Sequence, residues 1–379
     1  MTKSQKKKKK QIRKRTLTNR GKSNKTLSLK RSFKIIPTHA KSLPTNLDSL
    51  ELLKTNSFSP SVNKNLSQLI SESPNASIYN CENDEEIQIE NKEEDIECVK
   101  WDSNKAKEAM LKNIKSKRIS FELIIAPKQI NSNCWFNCFF MVFFISDKGR
   151  KFFRYLRESM IKGILPSKKK IPKNLQKSFF MLNRFIDASL FGYNDSKLFA
   201  ETMDTNKLIK NISKELKKKW SRYRIYKDSN NPITYYKRIT EYLNDNEIKL
   251  FEIKNRMPSS DDIKRFKKKT NNIPEIIITE LNDNIGVEKS KILKLGQYKY
   301  KLDSVILRNV FATHFSAYIT LNNELYGFDG SSYSKLIKYN WKSDLNKDVN
   351  FILEKKDDNT EPVFNFKNGF QFLFYYRIK

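Results

Sequence analysis

The chain has 379 residues, with 74 Lys and Arg against 42 Asp and Glu, a formal net charge of +32. An excess of that size implies an anionic partner such as nucleic acid or a membrane surface, and says nothing by itself about fold. No run of about 20 apolar residues exists to cross a bilayer, no apolar segment of the kind a secretory signal needs follows the basic N-terminus, and four Cys with two His at irregular spacing make neither a disulfide framework nor a Cys/His zinc site, which points to a reducing compartment.

Residues 1–34 carry fifteen Lys and Arg and no acid. The run Lys6 to Lys10, followed by Arg13, Lys14 and Arg15, has no apolar periodicity and too few core residues to fold alone. It predicts a disordered basic arm that is either a solvated tail, a sequence-independent nucleic-acid binder or a nuclear import signal. Within a linker expected over residues 35–117, residues 35–100 are polar and end in an acidic stretch, Glu82 to Glu97, with nine Asp and Glu against the single Lys92. This composition reads as a linker. His39, Cys81 and Cys98 fall in it without an ordered neighbourhood and are given no catalytic role.

Order is expected from near Arg118. Phe121 to Ile125 reads as a short strand. Cys134 to Ile145 is apolar nearly all round, the pattern of a helix buried in the core. Gly149 to Ile164, Asn174 to Leu190 and Asn206 to Trp220 read as helices. Beyond Asp261 the pattern turns to short β-branched and aromatic runs at Ile276 to Thr279, Tyr300 to Leu307, Phe315 to Leu321, Leu325 to Phe328 and Phe370 to Arg377. A helical half followed by a strand-rich half argues an α+β fold.

The chemistry rests on few residues. Cys134 stands where the polar stretch Gln129 to Asn133 meets the buried helix. Asn and Ser there are helix-capping types, so the thiol sits at a helix N-terminus, where the free N–H groups and the macrodipole favour a thiolate. Cys138, one turn deeper among Phe residues, reads as inert core. His314 is the sole His after residue 39. Strands Phe315 to Leu321 and Leu325 to Phe328, joined at Asn322-Asn323, form an antiparallel hairpin that brings Asp329 back beside His314. An Asp accepting from Nδ1 leaves Nε2 to take a thiol proton, which completes a nucleophile, base and orienting acid.

These segments resemble a family. Asn131-Ser-Asn-Cys134-Trp-Phe-Asn137-Cys-Phe-Phe is similar to the Cys box of ubiquitin-specific proteases, Gly-Asn-Thr-Cys-Tyr-Met-Asn-Ser before an apolar helix. His314-Phe-Ser-Ala-Tyr318 and Tyr326-Gly-Phe-Asp329 resemble that family's His box. Ile273 to Leu281, Tyr300 to Ile306 and Phe370 to Arg377 resemble its Leu-Pro strand, the strand before the His box and the last strand. The likeness spans residues 118–379. Thr313 stands where the family has Gly, Gly330 replaces the second Asp of an Asp-Asp pair, Gln129 replaces the oxyanion Asn, and the zinc-binding Cys-x-x-Cys pairs are missing.

The resemblance implies a papain-like catalytic domain over 118–379 and an intracellular thiol hydrolase without metal or other cofactor. Cys134 would be nucleophile, His314 base, Asp329 its orienting group and Gln129 an oxyanion donor. The substrate would be ubiquitin or a ubiquitin-like tail ending in Gly-Gly, threaded past aromatic walls such as Trp135 and Phe328. The alternative is a degenerate protease-like scaffold or virion protein that binds nucleic acid through residues 1–34. The Lys, Asn, Ile, Phe and Tyr excess resembles proteins of large DNA viruses, where the substrate would be a viral polyprotein.

Overall fold

The computed structural model describes residues 81, 85–90, 96–115, 119, 124–191, 203–220, 232–243, 250–311, 313–331, 336–353 and 362–379. The basic arm, His39 and residues 121–123 of the expected first strand lie outside them.

Ordered elements start inside the stretch that reads as a linker. Strands β1 (Glu86–Glu90) and β2 (Ile96–Lys100) pair antiparallel, and helix α1 (Asn104–Lys115) follows. The reason is amphipathicity hidden under charge. Ile87 and Ile89 alternate with polar neighbours and bury their side chains with Trp101, Met110 and Phe180 in a small separate core. Residues 124–125 are not a strand; Ile125 instead donates its N–H to Ser189 O at 3.2 Å. Pairing β1 with β2 also carries Cys98 back to Cys81, and the two form a disulfide with a Cα–Cα separation of 5.9 Å. Two cysteines expected to be free and without neighbours are therefore bonded to each other.

The helical layer comprises α2 (Cys134–Phe140), α3 (Asp147–Phe152), α4 (Arg154–Lys162), α5 (Lys173–Phe191), α6 (Thr205–Lys219) and α7 (Pro232–Leu243). Helix α2 is buried in the core between the helical layer and the sheet. Phe139 stacks on Tyr236 of α7 at 5.3 Å and meets Phe372 and Phe374 of the sheet edge-on at 5.5 and 5.7 Å. Each such fully buried Phe contributes about 1.5–3 kcal/mol of transfer free energy. That is why the segment is apolar on every face. The last turn widens to a π-helix over Met141–Ile145, with Ser146 N–H reaching back five residues to Met141 O at 2.9 Å. The chain then turns sharply into α3. A Cβ on Gly149 would lie 1.9 Å from Val142 O, so only glycine fits there.

Arg157 of α4 and Asp187 of α5 form an ion pair that is almost wholly buried. Asn113 of α1 donates to the same carboxylate at 3.0 Å, and Arg157 Nε donates to Asn183 Oδ1 at 2.9 Å. This cluster fastens α1 to the helical layer. Burial raises the Asp187 pKa despite the opposing pull of Arg157 and Asn113.

The strand-rich half is one large sheet in the order β3 (Phe251–Lys254), β4 (Ile276–Leu281), β12 (Gln371–Arg377), β6 (Tyr298–Arg308), β7 (Phe315–Leu321), β8 (Glu324–Phe328), β9 (Leu336–Lys338), with β5 (Ile292–Leu295) paired to β6. Only β3 with β4 is parallel among its pairs. Helix α8 (Ser260–Thr270) lies between β3 and β4, in a stretch whose sequence pattern suggests neither a helix nor a strand. Its start is fixed by a capping box between Ser259 and Asp262.

Both sheet faces are covered. Ile276, Ile278, Ile306, Phe372 and Phe374 point to the helical layer. Ile277, Val305, Leu307, Leu373 and Tyr375 point to a second core with Tyr339 and Trp341 of helix α9 (Trp341–Asp344) and the aromatic pair β10 (Asn350–Ile352) and β11 (Val363–Asn365). Two-sided cover explains why Phe315 to Leu321 is buried at every position instead of alternating. The result is a mixed helix and sheet fold in which α1 to α7 precede the strands of the large sheet.

Candidate active site

Three segments converge on one point: the N-terminus of α2, the start of β7 and the turn after β8. The last two belong to one hairpin. Leu321 pairs with Glu324, and Asn322 and Asn323 both have positive φ, 49° and 63°. This is the left-handed geometry of a two-residue I′ turn, which Asn tolerates. With that register fixed, His314 just before β7 and Asp329 just after β8 lie at the same end. His314 is further held by Asn309, whose Oδ1 accepts the N–H of both Thr313 and His314, at 2.8 and 2.9 Å.

His314 Nε2 lies 2.6 Å from Asp329 Oδ1. Cys134, at the N-terminus of α2, also acts on the ring and raises its pKa. Asp329 therefore holds Nε2, and Nδ1 is the nitrogen left for the thiol, the reverse of the arrangement expected from the sequence. The cause is where the carboxylate starts. It is rooted on the histidine's own hairpin and reaches the outer ring nitrogen, while Nδ1, next to the ring's attachment to the backbone, is left for α2.

Burial disfavours the charged imidazole, but hydrogen bonds to Asp329 and Cys134 and the charges of both outweigh it and lift the His314 pKa to about 9. Burial would also raise Asp329; the His314 hydrogen bond and charge, with Ser331 N–H donating to Oδ1 at 2.9 Å, bring it below the usual carboxylate range instead. The ring is therefore protonated near neutral pH, facing Cys134 at a helix N-terminus. That pairing supplies a nucleophile and a proton donor in one contact.

Cys138 has no exposed surface, and burial, with the Cys134 and Asp329 charges behind it, pushes its pKa well up. It is a core thiol. Asn133 occupies the N-cap position, yet its side chain makes no capping bond. Its Oδ1 instead accepts Ile130 N–H at 2.9 Å, so its amide organises the preceding loop and not the helix end.

Gln129 lies in that loop. Its N–H donates to Gly330 O at 2.7 Å, tying it to the turn that follows Asp329. Nε2 donates one hydrogen to Asn131 O at 3.0 Å, and Oε1 is buried without a partner among the described residues. One amide hydrogen remains for another acceptor. Close approach explains Gly330: a Cβ there would stand 3.4 Å from Gln129 Cβ and 3.2 Å from Phe328 Cζ.

The two expected aromatic walls separate. Trp135 is half-buried, edge-on to Tyr235 at 5.3 Å. Phe328 is 0% exposed and belongs to the helix-side core, because its place in the β8 pleat turns it inward beside Ala317. It offers no surface to a substrate. Asn309, which holds His314, carries one local signal in the sequence: an Asn at a strand end five residues before the His.

No protein-family model matches the chain, and no curated protein matches it in sequence. Among solved structures it is similar to the SAGA Ubp8/Sgf11/Sus1/Sgf73 DUB module, at 9% identity and a TM-score of 0.37 over 76% of this chain and 77% of that one. The same module bound to ubiquitin aldehyde gives 10% identity and a TM-score of 0.39 over 76% and 78%. An essential yeast splicing factor gives 9% and 0.30 over 90% and 80%.

Proposed function

We propose that the chain is a papain-like cysteine peptidase acting through Cys134, His314 and Asp329. The observation that carries this reading is a single imidazole with Asp329 at 2.6 Å on Nε2 and the helix-terminal Cys134 as its other partner. In the mechanism that follows, the Cys134 thiolate attacks a carbonyl carbon. The oxyanion is met by the Cys134 N–H and the remaining amide hydrogen of Gln129. His314 gives its proton to the leaving amine, and the thioester remains on Cys134. His314, now neutral, takes a proton from water, which attacks the thioester and releases the carboxylic acid, which ionises in solvent, leaving Cys134 as the thiolate beside the protonated ring. Asp329 keeps the ring oriented throughout.

The substrate class follows from the sequence resemblance: an isopeptide or peptide bond after the terminal Gly-Gly of ubiquitin or a ubiquitin-like protein, and hence work inside a cell. Residues 1–34 would hold an anionic partner such as nucleic acid while the catalytic domain works. The test is ubiquitin carrying a C-terminal electrophile. A covalent adduct on Cys134 supports the reading; a folded protein that forms none is the scaffold instead.

A further inference from the structure

A buried chain of hydrogen bonds begins and ends on the Gln129 loop. Ile130 N–H donates to Asn133 Oδ1 at 2.9 Å, and Asn133 Nδ2 donates to Thr205 Oγ1 at 2.7 Å. Thr205 passes its hydroxyl proton to Asn137 Oδ1 at 2.9 Å, and Asn137 Nδ2 donates to Lys128 O at 3.1 Å and to Pro127 O at 3.4 Å. Asn133, Asn137 and Thr205 are each 0% exposed. Three of the five links lie within residues 127–137, and the other two run through Thr205. Thr205 alone comes from elsewhere, the first residue of α6, whose next residue, Asn206, also donates to Ile130 O at 2.7 Å.

The donor count is strict. Asn133 Nδ2 needs an acceptor and Asn137 Oδ1 needs a donor. A hydroxyl serves both at once and an alkyl group serves neither. Without it two buried amide groups lose their partners, and the backbone on both sides of Gln129 loses its anchor.

We propose that Thr205 is a positioning residue: its hydroxyl joins the Asn133 and Asn137 amides and so holds the 127–130 backbone where Gln129 can meet a developing oxyanion. This rests on the peptidase reading. It also separates two functions within the site. The relay fixes the oxyanion side, whereas the Cys134–His314 contact is fixed by α2 and the β7–β8 hairpin.

The test compares Thr205→Val, nearly isosteric but without the hydroxyl, with Thr205→Ser, which keeps it. Hydrolysis of ubiquitin C-terminal coumarin amide by Thr205→Val falls about 10²-fold in kcat, the cost of a misplaced transition-state donor, with KM within about twofold, and Thr205→Ser recovers most of the loss. Alkylation of Cys134 by iodoacetamide, which develops no oxyanion, keeps its rate and pH profile in both variants. Hydrogen exchange at Ile130 N–H speeds up about tenfold or more in Thr205→Val and not in Thr205→Ser, while Phe139 N–H inside α2 is unchanged. Should Thr205→Val not fold, Asn133→Asp keeps the acceptor for Ile130, removes the donor to Thr205 and shows the same kcat loss. Full kcat with Ile130 still protected overturns the assignment, as does a parallel fall in alkylation, which would place the relay on the nucleophile side. A wild-type protein that neither hydrolyses the coumarin amide nor alkylates selectively at Cys134 overturns the peptidase reading itself, and the Ile130 exchange still reports whether Thr205 holds the loop.

Discussion

The carboxylate of Asp147, at the start of α3, accepts the N–H of Asn322 at 3.0 Å and, with its other oxygen, the N–H of Asn323 at 3.1 Å. One side chain of the helical layer therefore closes the turn of the hairpin whose far end carries His314 and Asp329. Hydrogen bonds to a charged group contribute about 1.5–3 kcal/mol. Asp147→Ala should destabilise the protein by about that amount in urea unfolding, with Asp147→Asn intermediate, and should leave the wild-type Cys134 alkylation rate nearly unchanged below the unfolding transition.

Substitution at the two cysteines separates their roles. Cys134→Ala and His314→Ala should abolish hydrolysis and electrophile labelling without unfolding the protein, as judged by circular dichroism. Asp329→Asn should lower activity less, because Asn still accepts from the ring. Cys138→Ser should keep most of the activity. Labelling that survives Cys134→Ala and disappears in Cys138→Ser would assign the nucleophile to the wrong turn of the helix.

The charge on His314 sets an alkaline limit. Its pKa rises from 6.5 to about 9 on folding. A raised pKa means that the protonated ring stabilises the fold fully below about pH 6.5, and that this contribution is lost as pH rises through about 9. Hydrolysis should fall over the same upper range as the leaving amine loses its proton donor. Asp329→Asn, which removes the carboxylate charge beside the ring, should move that limb to lower pH. The pH–rate profile and the His314 ring resonances in NMR both read the shift.

Breaking the buried pair from one side should be costly. Arg157→Leu leaves the Asp187 carboxylate without its counter-charge in a site with no exposed surface, and should destabilise by about 3–5 kcal/mol. Replacing both partners with apolar residues should recover much of that loss in chemical denaturation. Equal losses for the single and double variants would mean that packing, and not charge, dominates there.

The basic arm is tested through salt. Fifteen cations in residues 1–34 should bind duplex DNA with a log–log salt slope of about −0.9 per neutralised phosphate. Removing residues 1–34 should flatten the slope and leave Cys134 labelling intact. An unchanged slope would assign the binding to the folded domain.

The parts of the fold that could be read in the sequence are those fixed by local rules. Asn322-Asn323 between two apolar runs announces a hairpin turn, and the buried helix after Cys134 announces itself by having no polar face. Ile87 and Ile89 failed to stand out because nine acidic residues surround their alternation, so net charge masked a period of two. Helix α8 was missed although Ser259 and Asp262 spell its capping box. Which nitrogen of His314 meets Asp329 depends on the placement of two loops in space, which spacing along the chain does not encode. Thr205 is more remote still, because its meaning lies in two amides some 70 positions earlier that need a shared hydroxyl.

Strand β12, the last in the chain, lies between β4 and β6, with Phe374 opposite Ile278 on one side and Ser304 on the other. It is the keystone of the sheet, and it comes later in the chain than both strands it joins. Until residue 377 has been added, β4 and β6 have no common neighbour, and Phe139 of the nucleophile helix lacks Phe372 and Phe374 to rest against. A growing chain therefore carries Cys134 and His314 long before it has the frame that brings them together. Assembly of the site waits on β12, and a chain cut just before Gln371 would hold Cys134, His314 and Asp329 without the frame that brings them together.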